Sequence, residues 1–331
     1  MTRPLDDHEL LPLLDVLADG AWHSGEALAA DAGVTRAALA KRIDRLADWG
    51  LEIEARTGLG YRLDAPLERL DETQIQALLS LETRARLRTF SVALRTDSTN
   101  QRLVEADPEQ DPQALFAEAQ SAGRGRRGRV WRSPFGVNLY LSLAWSFPQW
   151  PMQIGTLPLA VGVAAARALR QLGVRNVGLK WPNDLRVGNA KLGGILLEQR
   201  GEFGGACRVI AGIGVNVAMQ PAQAGAIDQI WTTVAAAAGV NAPTRNGVAG
   251  TVLDALVDAF ARFESSGFST FAADWAAFDL TAGRIVRIEQ GAASFSGRAA
   301  GIDTDGALLV DVDGQLRPVH AGEVSVRLAA S

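Results

Sequence analysis

Between Gly123 and Arg129 the chain places three glycines and four arginines in seven consecutive positions. Such a run cannot sit inside a helix or a strand: each glycine costs a helix about 1 kcal/mol relative to alanine, and the adjacent charges repel. The segment must be a surface loop, and the rest of the chain must fold into a scaffold that presents it. Glycine lets a backbone approach a ligand closely, and its amides can cradle an anion. Arginine adds permanent charge and a donor fork that fits phosphate or carboxylate. A solvated basic loop or a nucleic-acid patch is the plainer reading of the same composition.

The scaffold separates into three regions by hydrophobic period. In residues 1–66, Leu10, Leu13, Leu14 and Leu17 repeat at helical spacing, and Gly25–Ala32 forms a second short helix. Thr35 is placed to cap a third, whose stripe is Leu39, Ile43 and Leu46. Leu51, Ile53 and Ala55 then alternate with charged residues, and Gly58 and Gly60 permit a turn into Tyr61–Leu63. Three helices and a hairpin predict a winged helix-turn-helix. Asp64-Ala65-Pro66 reads as a hinge, followed by a helix near Asp71–Leu81. In residues 67–279, strands are expected at Phe90–Leu94, Leu115–Glu118, Asn138–Trp145, Val177–Trp181, Gly193–Gln199 and Arg208–Val217, with helices at Ser98–Glu105, Ile154–Leu172 and Gly247–Glu264. The two kinds do not alternate strictly, which predicts an α+β arrangement with a mixed or antiparallel sheet. Residues 280–331 are short strands cut by turns such as Asp313-Gly314, a spacing that fits a small SH3-like barrel.

The net charge of −4 rules out wholesale attraction to nucleic acid, so any such contact needs a local basic face. One cysteine, Cys207, cannot form an internal disulfide, and with three histidines it gives no metal-ligand spacing; no protein-built metal site is expected. No signal peptide is evident, and Leu157–Leu172 is too short to span a bilayer, which predicts a cytoplasmic protein without membrane contact.

Four further segments carry chemistry. Lys180-Trp181-Pro182-Asn183-Asp184 ends an expected strand and aims a cation over it, although an ordinary strand-end turn has the same look. Asp97-Ser98-Thr99-Asn100 either caps a helix or offers hydroxyls to a small polar ligand. Lys191–Leu196 and Gly212–Asn216 contain glycines inside strands, where something packs against bare backbone.

In this order, the five segments resemble those of the biotin–protein ligases: a DSTN segment, the GRGRRGR loop, KWPND, a lysine-led GGIL strand and a GxGxN strand. The winged head and the C-terminal barrel are similar too, so the resemblance spans nearly the whole chain. It implies a catalytic domain of the class II synthetase-like type that joins biotin and ATP, with Mg2+, into biotinyl-5′-AMP, then passes biotin to a lysine of a biotin carboxyl carrier domain. It further implies that Ser98, Thr99, Asn100, Gln120, Gly123, Arg124, Trp131, Lys180 and Gly194 hold biotin, with Trp181 also walling the pocket. Arg126, Arg129, Asn183, Asn216 and Trp231 would hold the nucleotide, and Lys180, Arg126 and Arg124 would be catalytic.

The same resemblance implies a biotin-responsive repressor that binds operator DNA as a homodimer when loaded with the adenylate. Residues 1–66 carry seven basic and twelve acidic side chains, yet Arg36, Lys41, Arg42 and Arg45 fall on the third helix behind Thr35, and Arg56 falls on the wing. These six residues are the expected DNA contacts. A ligase whose head no longer represses, a non-catalytic ligand sensor and a lipoate-type ligase are the alternatives at this point.

Overall fold

The computed structural model describes residues 7–225, 227–290, 293–321 and 324–328. Among these residues the head begins with helices α1 (Leu11–Leu17), α2 (Gly25–Asp31) and α3 (Arg36–Ala47) and closes with the hairpin β1 (Ile53–Arg56) and β2 (Gly60–Leu63). Local chemistry sets the helix starts: the Ser24 hydroxyl accepts from Glu26 N–H, and the Thr35 hydroxyl from Ala38 N–H at 3.2 Å. Leu39, Ile43 and Leu46 of α3 share one core with Leu13, Leu14 and Leu17 of α1, as the spacing predicts, and Phe135 of the central region joins it. Gly60 lies at φ +104°, and a β-carbon there would collide with the His23 carbonyl, so the wing closes onto the head only through glycine.

The expected hinge at 64–66 is tied down on both sides. Leu67 N–H donates to the Ala18 carbonyl, and Arg69 pairs with Asp15 at 2.7 Å. Beyond it, Arg245 and Asn246 clasp Glu68, while Leu70 N–H donates to Glu118 at 2.6 Å. The head also reaches across: Trp49 meets Phe135 of the central region at 5.0 Å between ring centroids.

The helix expected near Asp71–Leu81 is two, α4 (Glu72–Leu78) and α5 (Leu81–Arg86). Ser80 breaks them, capping α5 and bonding Asp254 with both its N–H and its hydroxyl. The central sheet has strands β3 (Thr89–Ala93), β4 (Gln113–Ala117), β5 (Leu139–Phe147), β6 (Val177–Lys180), β7 (Asp184–Val187), β8 (Ala190–Gly201) and β9 (Cys207–Val215). Their order is β3-β4-β5-β9-β8-β7-β6; β3 and β4 run parallel and every other pair antiparallel. The mixed sheet was expected, but β7 was not, because four residues between turns give no readable period. Helix α6 (Thr99–Glu105) and helix α7 (Leu157–Gln171) follow β3 and β5; α8 (Pro221–Ala224) and α9 (Val234–Ala238) are short. Helix α10 (Arg245–Ser266) packs with α7, and α11 (Ser269–Phe278), unanticipated in the sequence, lies beside them.

The two faces of the sheet differ in kind. Leu139, Leu141 and Leu143 of β5, with Val209, Ala211, Ile213 and Val215 of β9, belong to the large core under α7 and α10. The alternate residues, Tyr140, Ser142 and Ala144 with Ile210, Gly212 and Gly214, face the other way, because successive strand side chains point to opposite faces. Helix α6 covers part of that second face through Leu103, Ala144 and Ile210.

The C-terminal strands β10 (Ile285–Gln290), β11 (Ala293–Ile302), β12 (Leu308–Val312), β13 (Gln315–Val319) and β14 (Val324–Leu328) form an antiparallel sheet in the order β13-β12-β11-β10-β14, the unit expected as an SH3-like barrel. Its apolar side joins the central core through Val286, Ile288, Leu308 and Val310. Trp181 contributes to this docking: its indole N–H donates to the Gly306 carbonyl at 2.9 Å.

Candidate functional site

The second face of the sheet floors a cleft. Strand register lines up Tyr140, Gly214 and Gly194 in one row, and Ser142, Gly212 and Leu196 in the next. Glycine is required in both rows. A β-carbon at Gly214 would lie 2.5 Å from the Trp131 indole, and one at Gly212 would collide with Asn100 Oδ1. The glycines therefore let the arginine loop and the start of α6 lie directly on backbone. Replacing Gly214 by alanine is expected to lift Trp131 and weaken the binding of whatever the cleft holds at least ~10-fold, within the usual cost of overpacking. Calorimetry giving unchanged affinity would refute the need for bare backbone there.

The loop itself is a tight return. Gly125 N–H donates to the Arg129 carbonyl at 2.7 Å, and Arg127 and Gly128 both take positive φ, +59° and +70°. Arg124 Nη2 reaches Glu198 at 3.1 Å. Arg126 donates to Asn183 Oδ1 at 3.3 Å and to the Ala321 carbonyl, linking the loop to the turn after β6 and to the C-terminal unit. Burial lowers the Arg126 pKa from its ordinary value.

At the start of α6, Ser98 caps the helix, and Thr99 N–H donates to Gln120 Oε1 at 2.9 Å. Gln120 Nε2 donates to Ser133 at 3.0 Å. Lys180 lies at the end of β6. Burial lowers its pKa; Asp184 opposes that shift, while Arg186, Lys191 and Arg129 add to it.

The structure gathers eleven of the expected site residues around this cleft: Ser98, Thr99, Asn100 and Gln120; Arg124, Arg126, Arg129 and Trp131; Lys180, Asn183 and Gly194. Three others are placed differently. Gly123 is buried under the Trp131 carbonyl and Ser133, so it supports the loop from behind. Asn216 is buried beyond β9, with its amide on the Lys191 and Thr232 carbonyls. Trp231 is half-buried and bridges to the backbone of Lys191. Trp181 borders the cleft, yet its polar edge faces the C-terminal unit.

The cleft also holds residues to which the sequence motifs gave no role. Lys191 Nζ pairs with Asp184 at 2.7 Å and stands 5.6 Å from the Trp131 ring centre. Its place at the head of the GGIL strand was on view, but a lysine there looks like any edge residue. Tyr140, Asp184 and Val326 also border the cleft, and Val326 had no signal at all because it comes from the last strand. Among the described residues no cluster of acidic, histidine or cysteine side chains could hold a metal ion.

The head presents Lys41 exposed and Arg42 partly buried on α3. Thr35 caps the helix; Arg36 pairs with Glu26 at 2.8 Å, and Arg56 with Glu54 at 3.4 Å beside the Trp22 ring. Arg45 is turned to Asp7 at 3.0 Å, and Asp7 also reaches Arg95 of the central region.

Residues 92–216 match the biotin/lipoate A/B protein ligase family, residues 281–327 the biotin protein ligase C-terminal domain, and residues 11–62 a helix-turn-helix domain. The chain is 41% identical over 320 residues to the bifunctional ligase/repressor BirA of Salmonella typhimurium, covering 96% of this chain and 98% of that protein. It is 35% identical to the biotin–[acetyl-CoA-carboxylase] ligase of Mycobacterium tuberculosis, over 72% of this chain and 88% of the relative. Among solved structures, the biotin protein ligase of Aquifex aeolicus in complex with biotin and ATP is similar at a TM-score of 0.63 and 27% identity, over 73% of this chain and all of that one. No helix among the described residues is long and apolar enough to cross a membrane.

Proposed function

The chain belongs to the biotin protein ligases of the bifunctional ligase/repressor kind, and from that premise we propose how its own residues divide the work. One observation carries the reading: a single cleft combines neutral hydrogen-bonding groups over a glycine floor with a set of cations. Ser98, Thr99 and Gln120 suit a neutral polar ring, and Trp131 suits its apolar body. Arg124, Arg126, Arg129, Lys180 and Lys191 suit a carboxylate and phosphates. In the first step a biotin carboxylate oxygen attacks the α-phosphorus of ATP, and the bond to pyrophosphate breaks. Two anions must approach, so the protein's task is charge neutralisation and alignment rather than proton transfer. In the second, the ε-amine of an acceptor lysine on a carboxyl carrier domain attacks the biotinyl carbonyl, and AMP leaves. Asn183 is assigned to the nucleotide. Asn216 and Trp231 are assigned to it through the 227–232 segment that they anchor.

Mg2+ belongs to this reading as the partner of the ATP phosphates. Among the described residues Asp184 is the carboxylate that borders the cleft, where it pairs with Lys191, and Mg2+ is commonly held by one or two carboxylates plus substrate phosphates. Bound there, it would neutralise charge on the leaving pyrophosphate. The reaction and the repressor role assign the protein to the cytoplasm.

Biotin, ATP and Mg2+ are expected to yield biotinyl-5′-AMP by mass spectrometry; none formed would end the reading. For the head, operator DNA binding is expected to strengthen with the adenylate through dimer formation, since two joined heads raise the effective concentration of the second contact. Arg42→Ala should weaken binding and lower its salt dependence by about one phosphate contact. Gel shifts showing equal affinity with and without adenylate would refute the coupling, and no effect of Arg42→Ala would remove that residue from the interface.

A further inference from the structure

Six side chains form one continuous hydrogen-bonded chain beneath the cleft, and two of them, Ser142 and Glu198, lie outside every motif that the sequence offered. Glu198 Oε2 accepts from Asn100 Nδ2 at 2.8 Å and from Arg124 at 3.1 Å. A carboxylate only accepts, so the Asn100 amide must turn its NH2 to Glu198 and its oxygen to Ser142. Ser142 Oγ lies 2.6 Å from that oxygen and 2.7 Å from Thr99 Oγ1. Since Asn100 Oδ1 cannot donate, the single Ser142 proton goes to Asn100, and the Ser142 oxygen is left to accept from Thr99. The other inward partner of the Thr99 hydroxyl is Gln120 Oε1 at 3.2 Å, also an acceptor. Gln120 Oε1 is the longer of the two and already accepts the Thr99 N–H, so the Thr99 proton goes to Ser142 and its lone pairs are left for the cleft that it lines.

We propose that Ser142 is a positioning residue that fixes the Thr99 hydroxyl as a hydrogen-bond acceptor toward the ligand, and so selects a ring N–H donor at that point. Ser142 is fully buried on β5 and touches no ligand space itself; it acts through Thr99. Ser98 has the opposite character. Its oxygen accepts from Gln101 N–H, which leaves its own proton to donate. An acceptor beside a donor is the complement of a cyclic urea, which offers N–H next to C=O. The inference rests on the ligase reading above, and adds to it which buried group sets the polarity of the pocket.

The test is binding calorimetry and steady-state kinetics on the full chain for wild type, Ser142→Ala, Ser142→Thr, Thr99→Val and Ser142→Ala/Thr99→Val. The probes are biotin and a biotin analogue methylated at the ureido nitrogen. Ser142→Ala removes the shorter of the Thr99 hydroxyl's two acceptors, leaves it only the 3.2 Å contact with Gln120 Oε1, and strands Asn100 Oδ1. It should raise Kd and KM for biotin about 10-fold, the scale of one buried hydrogen bond with its partner left unsatisfied, while kcat stays within about 3-fold. The preference for biotin over the methylated analogue should shrink by about the same factor. Ser142→Thr, which keeps a hydroxyl, should restore both. The double variant should bind biotin no worse than Thr99→Val alone.

Weakening of both probes by the same factor in Ser142→Ala would overturn the proposal in favour of a purely structural serine. Additive losses in the double variant, or biotin affinity at the wild-type level in Ser142→Ala, would overturn it as well. If Ser142→Ala does not fold, the comparison of Ser142→Thr with Thr99→Val on the two probes decides: selectivity retained in the first and lost in the second is expected, and selectivity retained in both overturns it. Failure of the ligase reading is distinguishable, because the wild-type protein would then neither bind biotin nor form the adenylate.

Discussion

Replacing Lys180 by alanine is expected to leave biotin bound and to slow both adenylation and transfer by at least ~100-fold, the scale for one preorganised electrostatic group. Lys180 borders the cleft at the end of β6, and no expected site residue other than the loop arginines brings a cation there. Burial lowers its pKa from the ordinary 10.5, opposed by Asp184 and reinforced by Arg186, Lys191 and Arg129. Two consequences follow in sign. The ammonium loses its charge at a lower pH than an ordinary lysine, so the alkaline limb of the rate profile should begin below 10.5 and move in the alanine variant. For stability, the unfolded chain binds more protons than the folded one between the lowered pKa and 10.5. Stability owed to this group therefore rises with pH across that window. Lys180→Met should then melt higher than wild type at pH 7, with the gap closing as pH rises. Wild-type turnover in Lys180→Ala would remove its catalytic role and leave Lys191, which is held by Asp184, as the reacting cation.

Replacing Arg126 by glycine is expected to leave adenylation in place and to spoil retention. The Arg126 guanidinium joins the loop to Asn183 and to the Ala321 carbonyl, so its loss releases the loop from two neighbours at once. A charge-assisted bond of this kind is worth about 1.5–3 kcal/mol, so a restraint weakened by the equivalent of one predicts adenylate escape faster by about 10- to 100-fold. The readout is the labelling of bystander proteins with biotin alongside a carrier domain. Labelling that stays confined to the carrier would show that Arg126 does not hold the adenylate.

Much of this protein follows from local pattern. The head was legible because Leu39, Ile43 and Leu46 repeat at helical spacing behind the Thr35 cap, and because Gly60 supplies the one conformation that the wing turn needs. The paired glycines inside strands announced that something lies on bare backbone. The arginine loop had to be a loop, since glycine and like charge refuse any regular element.

What packs on that backbone was decided only by strands brought together from distant sequence. Register sets Ser142 under Thr99 and Asn100, and no local period marks a serine as special. The same remoteness hid Glu198, which meets Arg124 across the sheet, and Val326, which arrives from the last strand. It also turned Arg45 toward Asp7, a pairing between residues 38 positions apart that helical spacing on α3 could not foretell. Backbone geometry and hydrophobic period act over a few residues, so sequence fixes the elements and their faces. Hydrogen bonds and ion pairs form between side chains that meet only once those faces are stacked, so the polarity of the cleft belongs to the tertiary structure.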